Sequence, residues 1–510
     1  MMKNELDSLT YNNDLRVLKV NFLIVIIFSL VVTSPIITGN IYYVDDYYRL
    51  LNGSVRYWFF NGRPLAVFLT WILDFSSLTT DTSPLPLLIG LMSCSMLLVL
   101  SFRKLPDMTD SLRILLSLSV IISPFLAQGM LYTFDAMAIL ISAGLAIYAI
   151  TIIIKFDFIT GMVGFLLLVS TLCLYQPSIN YSVMIILILF TVHYKEVNAL
   201  KQLVMRFGVL LLSLGFYKML IIPLSGMDAL SLHRGELIPF SVTGLLHLYD
   251  NCISAFSSVN LAFPGLIKIP VFTLFLSGVI SCVLISGGLI KDRKYIHSLI
   301  ILVSPCVILI FIPGFLLLLD NATFDPRVLG AFSTAIIFFS CVSYYTIAPL
   351  RKILFISLVL YVIFSAVFMT TLFRAAVNQT RFTDDVLISI RNSLSLYPEG
   401  SFTGISFVGA LPYSPDILPA LRRYPYLIKY FTPALTENNE FRYYGPAKRI
   451  MLYAHLYPTT QAMREFVPSE KLVSGCIYHL YKYESIVVVN FKMPACDIPQ
   501  QYVHLAPQVK

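Results

Sequence analysis

Two adjacent carboxylates, Asp45 and Asp46, follow almost directly on the first long apolar run of the chain, Val20 to Thr38. Like charges side by side, next to a low-dielectric region, disfavour the ionised form and push at least one carboxyl pKa upward. Such an arrangement adds little to stability, but it suits an acid/base site or a cation site. The same pattern also fits a solvated loop, so its neighbours decide. Arg49, Arg56 and Arg63 follow the pair in sequence. Further along, polar groups recur at one end of successive apolar runs: Gln128 with Tyr132 and Asp135, Tyr175 with Gln176, Lys218, and Asp320, Asp325 and Arg327. An ionisable group within a few residues of hydrocarbon is costly unless it faces a cavity or a partner. Several of them on one side imply a shared polar cavity. Lys218 also reads as a snorkelling side chain, and Asp320 as a helix cap. Arg63 and Arg327 can either neutralise the acids or hold a phosphate bidentately.

The elements that must carry these groups are membrane helices. The 510 residues are 57% hydrophobic and 13% charged, with a mean hydropathy of +0.79, far from the roughly 25% charge of a soluble domain. Apolar runs of spanning length predict eleven crossings, at 20–38, 84–102, 113–128, 136–154, 159–175, 181–194, 207–224, 269–290, 297–316, 329–347 and 353–372. The runs at 113–128 and 181–194 are short. No A-x-A-like cleavage site follows the first run, so it reads as a retained anchor.

Lys and Arg concentrate in alternate loops, including Arg103, Lys104, Arg113, Lys155, Lys291, Arg293, Lys294, Arg351 and Lys352. By the positive-inside rule this places the N-terminus in the cytoplasm and the C-terminus outside. The net charge of +8 then reflects topology and gives no reason to invoke nucleic acid. The expected organisation is a cytoplasmic N-terminus (1–19), a transmembrane region (20–372) with long outer loops at 39–83 and 225–268, and an outer C-terminal domain (373–510). Alternating stretches at 476–483 and 485–491 predict strands, and 383–396 and 459–467 predict helices, giving a small mixed α/β fold. Cys476 and Cys496 flank the strand pair, and an oxidising compartment would permit a bridge between them. The segment 64–75, apolar and too short to span, is expected to lie in the interface.

The chain lacks a phosphate-binding loop, a dinucleotide fingerprint and an H-E-x-x-H zinc pair. Its expected inner loops are too short to hold a nucleotide-sugar. The substrate must therefore reach the outer face or lie in the membrane.

An acidic pair after the first span, an interfacial helix, many spans and an outer C-terminal domain resemble the polyprenyl-dependent membrane glycosyltransferases of the GT-C type. More narrowly, Tyr132-x-x-Asp135, Tyr175-Gln176-Pro177 and Pro326-Arg327 resemble the serotype-converting O-antigen glucosyltransferases of the Gtr type II family. That resemblance covers about residues 20–372. It implies a bacterial inner-membrane enzyme that moves glucose, with inversion, from undecaprenyl-phosphate-glucose to a sugar hydroxyl of lipid-linked O-antigen in the periplasm. It further implies catalytic roles for Asp45, Asp46 and Asp135, with Asp45 favoured as the base. Donor phosphate would be held by Arg63, Arg327 or Lys218, or by a divalent cation (Mg or Mn) on Asp46 and Asp135. Tyr132, Tyr175, Gln176 and Arg49 would bind substrate. A flippase and a cytoplasmic donor synthase would be its functional partners. The alternatives are an O-antigen polymerase or ligase, which needs no acidic pair after the first span, and a transporter. A transporter's ionisable residues would gather near the bilayer midplane.

Overall fold

Apolar periodicity over most of the chain leaves helix as the main way to satisfy its backbone, and the computed structural model is mostly helical. The structure describes residues 2–153, 157–226, 235–431, 434–437, 441–450, 455–456, 460, 463 and 471–492. The expected basic residue Lys155, most of the 459–467 segment and Cys496 lie outside them.

The helices used below are α1 (Met2–Gly39), α2 (Asp46–Asn52), α3 (Arg56–Phe60), α4 (Pro64–Asp74), α5 (Leu85–Phe102), α6 (Asp110–Ile121), α7 (Ala127–Leu131) and α8 (Ala136–Thr151). They continue with α9 (Phe158–Leu174), α10 (Ile179–His193), α11 (Ala199–Phe216), α12 (Val242–Ala262), α13 (Lys268–Lys291), α14 (Tyr295–Ile310), α15 (Phe332–Thr346) and α16 (Arg351–Leu394). Each of the eleven expected runs overlaps at least one of these helices. Among the described residues, seven helical stretches are long and apolar enough to cross a membrane: Leu15–Gly39, Leu85–Phe102, Gln176–His193, Ala199–Ser225, Gly265–Lys291, Pro326–Thr346 and Ala348–Leu394. The other four expected crossings are shorter helices: α6 of 12 residues, α8 of 16, α9 of 17 and α14 of 16. The run at 113–128 is not one continuous helix. It stops at Ile121, because Pro124 disfavours helical backbone at the residue before it. The chain resumes as α7.

Packing sorts the helices by environment. Helix α8 is buried along nearly its whole length, whereas α11 exposes Val204, Leu211 and Leu212. Large apolar side chains on the rim, with a core filled by Leu, Ile, Phe and small residues, are what a bundle surrounded by lipid requires. Helix α13 meets α15 closely: a Cβ at Gly278 would lie 2.4 Å from a Phe339 ring carbon and 2.8 Å from its Cα.

Helix α16 does not end near 372. No Gly or Pro interrupts it, and it runs on to Leu394, absorbing most of the helix expected at 383–396. Its last turns bury Val386, Leu387 and Ile390 against a five-stranded sheet. The strands are β1 (Gly404–Val408), β2 (His455–Leu456), β3 (Lys471–Ser474), β4 (His479–Tyr483) and β5 (Ile486–Asn490), in the order β2-β1-β5-β4-β3. The expected strand pair forms the antiparallel hairpin β4–β5, with Leu480 opposite Val489. Strand β1 adds in parallel on the other side of β5. Cys476 is disulfide-bonded.

Replacing Gly278 by Val should overpack the α13–α15 contact and lower stability by about 1–3 kcal/mol. A Cβ at Gly287, on the same helix, would meet nothing within 4 Å, so Gly287→Val should stay within about 0.5 kcal/mol of wild type. Thermal unfolding of the detergent-purified variants, followed by size-exclusion chromatography, checks the contrast.

Candidate functional site

The polar residues at one end of the bundle converge, and Asp46 organises them. Gly39 ends the first helix, and the chain turns so that α2 begins at Asp46. The Asp46 side chain is fully buried. One carboxylate oxygen accepts the backbone N–H of Tyr43 (3.0 Å) and of Thr133 (2.8 Å), and the other accepts that of Phe134 (3.4 Å). Thr133 in turn donates its hydroxyl to the Ile41 carbonyl at 2.7 Å. These bonds fasten the first loop to the turn between α7 and α8.

A chain of charges starts there. One Arg49 nitrogen, Nη1, lies 3.6 Å from Asp46 Oδ1 and 3.0 Å from Asp135 Oδ2. The Arg49 guanidinium also stacks on Trp58 at 4.6 Å. Asp135 pairs on its other side with Arg63 Nη1 at 3.4 Å. Arg63 precedes α4, donates Nε to Gln176 Oε1 (3.2 Å), and lies over the Tyr175 ring at 4.8 Å. Gln176 then donates to the Asn61 carbonyl (2.6 Å) and to the Tyr217 hydroxyl (2.9 Å), which itself donates to the Gly62 carbonyl at 2.8 Å. Gly62 has φ +72°, and a Cβ there would lie 2.4 Å from the Tyr217 hydroxyl, so the corner needs glycine on both counts. Tyr217 opens a π-helical turn, Tyr217–Ile221, that continues α11. Such bulges often re-aim a side chain at a working site.

A second group adjoins the first. The Arg327 guanidinium stacks on Tyr132 at 4.7 Å, and Tyr132 meets Tyr43 edge-on at 4.7 Å. Gln128 joins them: its Nε2 donates to the Tyr43 hydroxyl (3.1 Å), and its Oε1 accepts the Arg327 backbone N–H (3.0 Å). The Tyr43 hydroxyl donates onward to the Tyr430 carbonyl at 2.6 Å, and the Tyr430 hydroxyl to the Pro124 carbonyl at 2.5 Å. The segment after β1 is thereby attached to the site.

The positions of the expected site residues are thus unequal. Asp46, Arg49, Arg63, Asp135, Tyr175 and Gln176 form one network, and Tyr132 and Arg327 adjoin it. Asp45 is exposed at the start of α2, and its side chain makes no capping bond. Its charge still reaches the phenols of Tyr43 and Tyr132. Lys218 is exposed and stands apart from both groups; the neighbouring Tyr217 occupies the place in the network instead. Asp320 accepts from His247 on α12 at 2.8 Å, away from the cluster, and does not serve merely as a cap. Tyr43 and Tyr217 are not among the expected residues, and Gln128 is there only as one of the polar groups expected around a shared cavity, with no role of its own. An amide or phenol inside an apolar run has no spacing signature, although Gln128 stands out there as a buried amide.

The electrostatics follow from this burial. Loss of water around Asp46 raises its carboxyl to about 7, opposed by Arg49 and by the Tyr43 and Thr133 N–H groups, and reinforced by Asp135. The adjacent Asp45 is not the like charge responsible. A pKa near neutrality suits a general base, but reach comes first. Both Asp46 oxygens are turned to backbone donors, and Asp135 is almost as buried, with an arginine on each oxygen. Asp46 and Asp135 do not fit a divalent cation either. The Arg49 guanidinium stands between them, and among the described residues no three His, Cys, Asp or Glu side chains gather as a metal site. Arg327 has no carboxylate within ion-pair distance among the described residues, although Asp325 and Asp135 act on it electrostatically, and the Asp45 carboxylate is exposed.

Residues 34–368 match a protein family described as glucosyl transferase GtrII. A curated relative, an uncharacterized 55.3 kDa protein in the gtrB 5′ region of Salmonella phage P22, is 28% identical over 152 residues. That match spans 30% of this chain and 31% of the relative's length. No solved structure matches the chain.

Removing the Asp46 carboxylate should leave Arg49 and three N–H donors without their partner. Asp46→Ala is expected to lose about 3 kcal/mol of stability, read as a lowered thermal midpoint. The pH dependence has a definite sign. The folded state holds the Asp46 proton up to about pH 7, while an unfolded Asp releases it near about pH 4. This group's contribution is therefore full below about pH 4, falls as pH rises towards 7, and is constant above. Thermal scans across that window should show the decline in wild type and its loss in Asp46→Asn.

Proposed function

The chain belongs to the glucosyl transferase GtrII family, and we propose that it transfers glucose from undecaprenyl-phosphate-glucose to a sugar hydroxyl of lipid-linked O-antigen, altering serotype. On this reading all eleven apolar helices cross the bacterial inner membrane in a GT-C-like arrangement. The N-terminus is then cytoplasmic, and the cluster and the C-terminal region are periplasmic. The observation that supports the proposal is that the charges of Arg327 and Asp45 both act on one aromatic group, Tyr132. Arg327 stacks on Tyr132 with no carboxylate within ion-pair distance among the described residues, although Asp325 and Asp135 act on it from further off. The exposed Asp45 is close enough for its charge to act on the Tyr132 phenol.

The chemistry then divides between them. A sugar hydroxyl is too weak an acid to attack unaided near neutral pH, so Asp45 takes its proton as the oxygen attacks the anomeric carbon. The bond from that carbon to the phosphate oxygen breaks on the opposite face, inverting the configuration. Negative charge gathers on the departing undecaprenyl phosphate, where Arg327 offers a bidentate guanidinium. Arg63, already shared with Asp135 and Gln176, gives additional positive potential. The products are glucosylated acceptor, undecaprenyl phosphate and a proton on Asp45.

The membrane-borne donor also needs an apolar wall. Helix α4 buries Ala66, Val67 and Thr70, and exposes Phe68, Trp71 and Ile72, with Phe75 beyond its end. Its first residue follows Arg63, so phosphate and prenyl tail can be met by one continuous element. A flippase that delivers the donor, and a cytoplasmic synthase that makes it, complete the expected partners.

The test is transfer in proteoliposomes supplied with undecaprenyl-phosphate-glucose and lipid-linked O-antigen, with the glycan read by mass spectrometry. Wild type should add one hexose. Arg327→Gln should slow transfer about 100- to 1,000-fold, while Lys218→Gln should stay near wild type. No hexose on a competent acceptor would overturn the proposal.

A further inference from the structure

A second feature lies at the other end of the bundle. The start of α16, the end of α15 and the start of α6 enclose a crevice of about 420 Å³, whose lining includes Leu112, Tyr344, Leu354 and Phe355. Arg351 and Lys352 stand on its wall, and no carboxylate lines it. It is far from the cluster. Arg351 opens α16, whereas Ala376 on the same helix borders a cavity with Tyr43. At 1.5 Å per residue the separation is about 37 Å, slightly more than the roughly 30 Å of a bilayer's hydrocarbon core.

The charges at this crevice are unbalanced. Arg351 stacks on Tyr344 at 4.6 Å and donates Nε to the Tyr344 carbonyl at 2.9 Å. Neither contact neutralises it. Lys352 has no hydrogen bond or ion pair with a described residue, and the first turn of α16 holds no acid. The neighbouring acids do not compensate. Asp110 pairs with Arg113 at 3.1 Å. Asp107 is exposed on the next loop, and only its backbone carbonyl touches Tyr344. Both cations are themselves exposed.

We propose that this crevice holds one anionic phospholipid of the leaflet opposite the cluster, its acyl chain along Leu112, Leu354 and Phe355 and its phosphate on Arg351 and Lys352. Charge complementarity selects the occupant. An apolar slot at a bilayer's edge accepts any acyl chain, but two uncompensated cations at its mouth favour a headgroup with net negative charge. The site is separate from the proposed transfer chemistry, so its test does not depend on activity.

The experiment is native mass spectrometry of the full-length protein in detergent, titrated with phosphatidylglycerol and with phosphatidylcholine of identical chains. Wild type should retain phosphatidylglycerol preferentially. That preference should drop about five-fold for each charge removed in Lys352→Gln and in Arg351→Gln with Lys352→Gln. The exchange Arg351→Lys with Lys352→Arg keeps the charge and should keep the preference, which separates loss of charge from loss of fold. Lys291→Gln, at a basic position outside the crevice lining, should also keep it. Equal retention of the two lipids by wild type, or an undiminished preference in the doubly neutralised variant, would overturn the proposal.

Discussion

The constraint on which the site depends is a carboxylate placed where water cannot reach it. A buried charge is tolerated only when hydrogen bonds and a counter-charge replace hydration. Asp46 meets that condition by drawing in three backbone N–H groups from two separate stretches of chain, with Arg49 alongside. Once it is so held, Arg49 falls within reach of Asp135, Asp135 of Arg63, and Arg63 of Gln176. Loops that lie more than a hundred residues apart in sequence are joined by this one sequence of contacts.

Charges in that frame have partners and so hold position. Arg327 and Asp45 lie outside that frame, with no partner within ion-pair distance among the described residues. Arg49 and Arg63 are balanced by Asp46 and Asp135, whereas Arg327 is supported by an aromatic ring and Gln128 fixes only its backbone. Asp45 adjoins the most buried residue of the frame and is itself exposed, because consecutive residues at a helix start point in different directions. A single Asp-Asp dipeptide thus supplies one anchor and one accessible carboxylate.

Much of this was legible in the sequence, and the reasons differ by residue. Each expected crossing falls on a helix because hydropathy is a bulk property of a window, insensitive to the partners of any one residue. The lengths were less accessible: Pro124 cuts one run short, and an uninterrupted segment carries α16 past the expected boundary. For the site, residue type was informative. Acids and arginines at the mouths of apolar helices are costly, and most of those singled out do converge. Which of two adjacent acids is buried depends on the turn after Gly39 and on N–H groups near residue 133, and neither is encoded locally. Tyr43 and Tyr217 act through one hydroxyl each, at separations from 41 to 387 residues, and no local pattern marks them, whereas Gln128 is marked as a polar group at the end of an apolar run. Lys218 was conspicuous for the opposite reason, a charge in an apolar run whose place in space the sequence did not fix.

The claim that Asp45 reacts while Asp46 supports is the most exposed to test. The direct measurement is the single-turnover rate of glucose transfer in Asp45→Asn and Asp46→Asn, each paired with its thermal midpoint. The account predicts a transfer rate reduced at least about 100-fold in Asp45→Asn with an unchanged midpoint, and a lowered midpoint in Asp46→Asn. A fully active Asp45→Asn enzyme with a wild-type midpoint would contradict it.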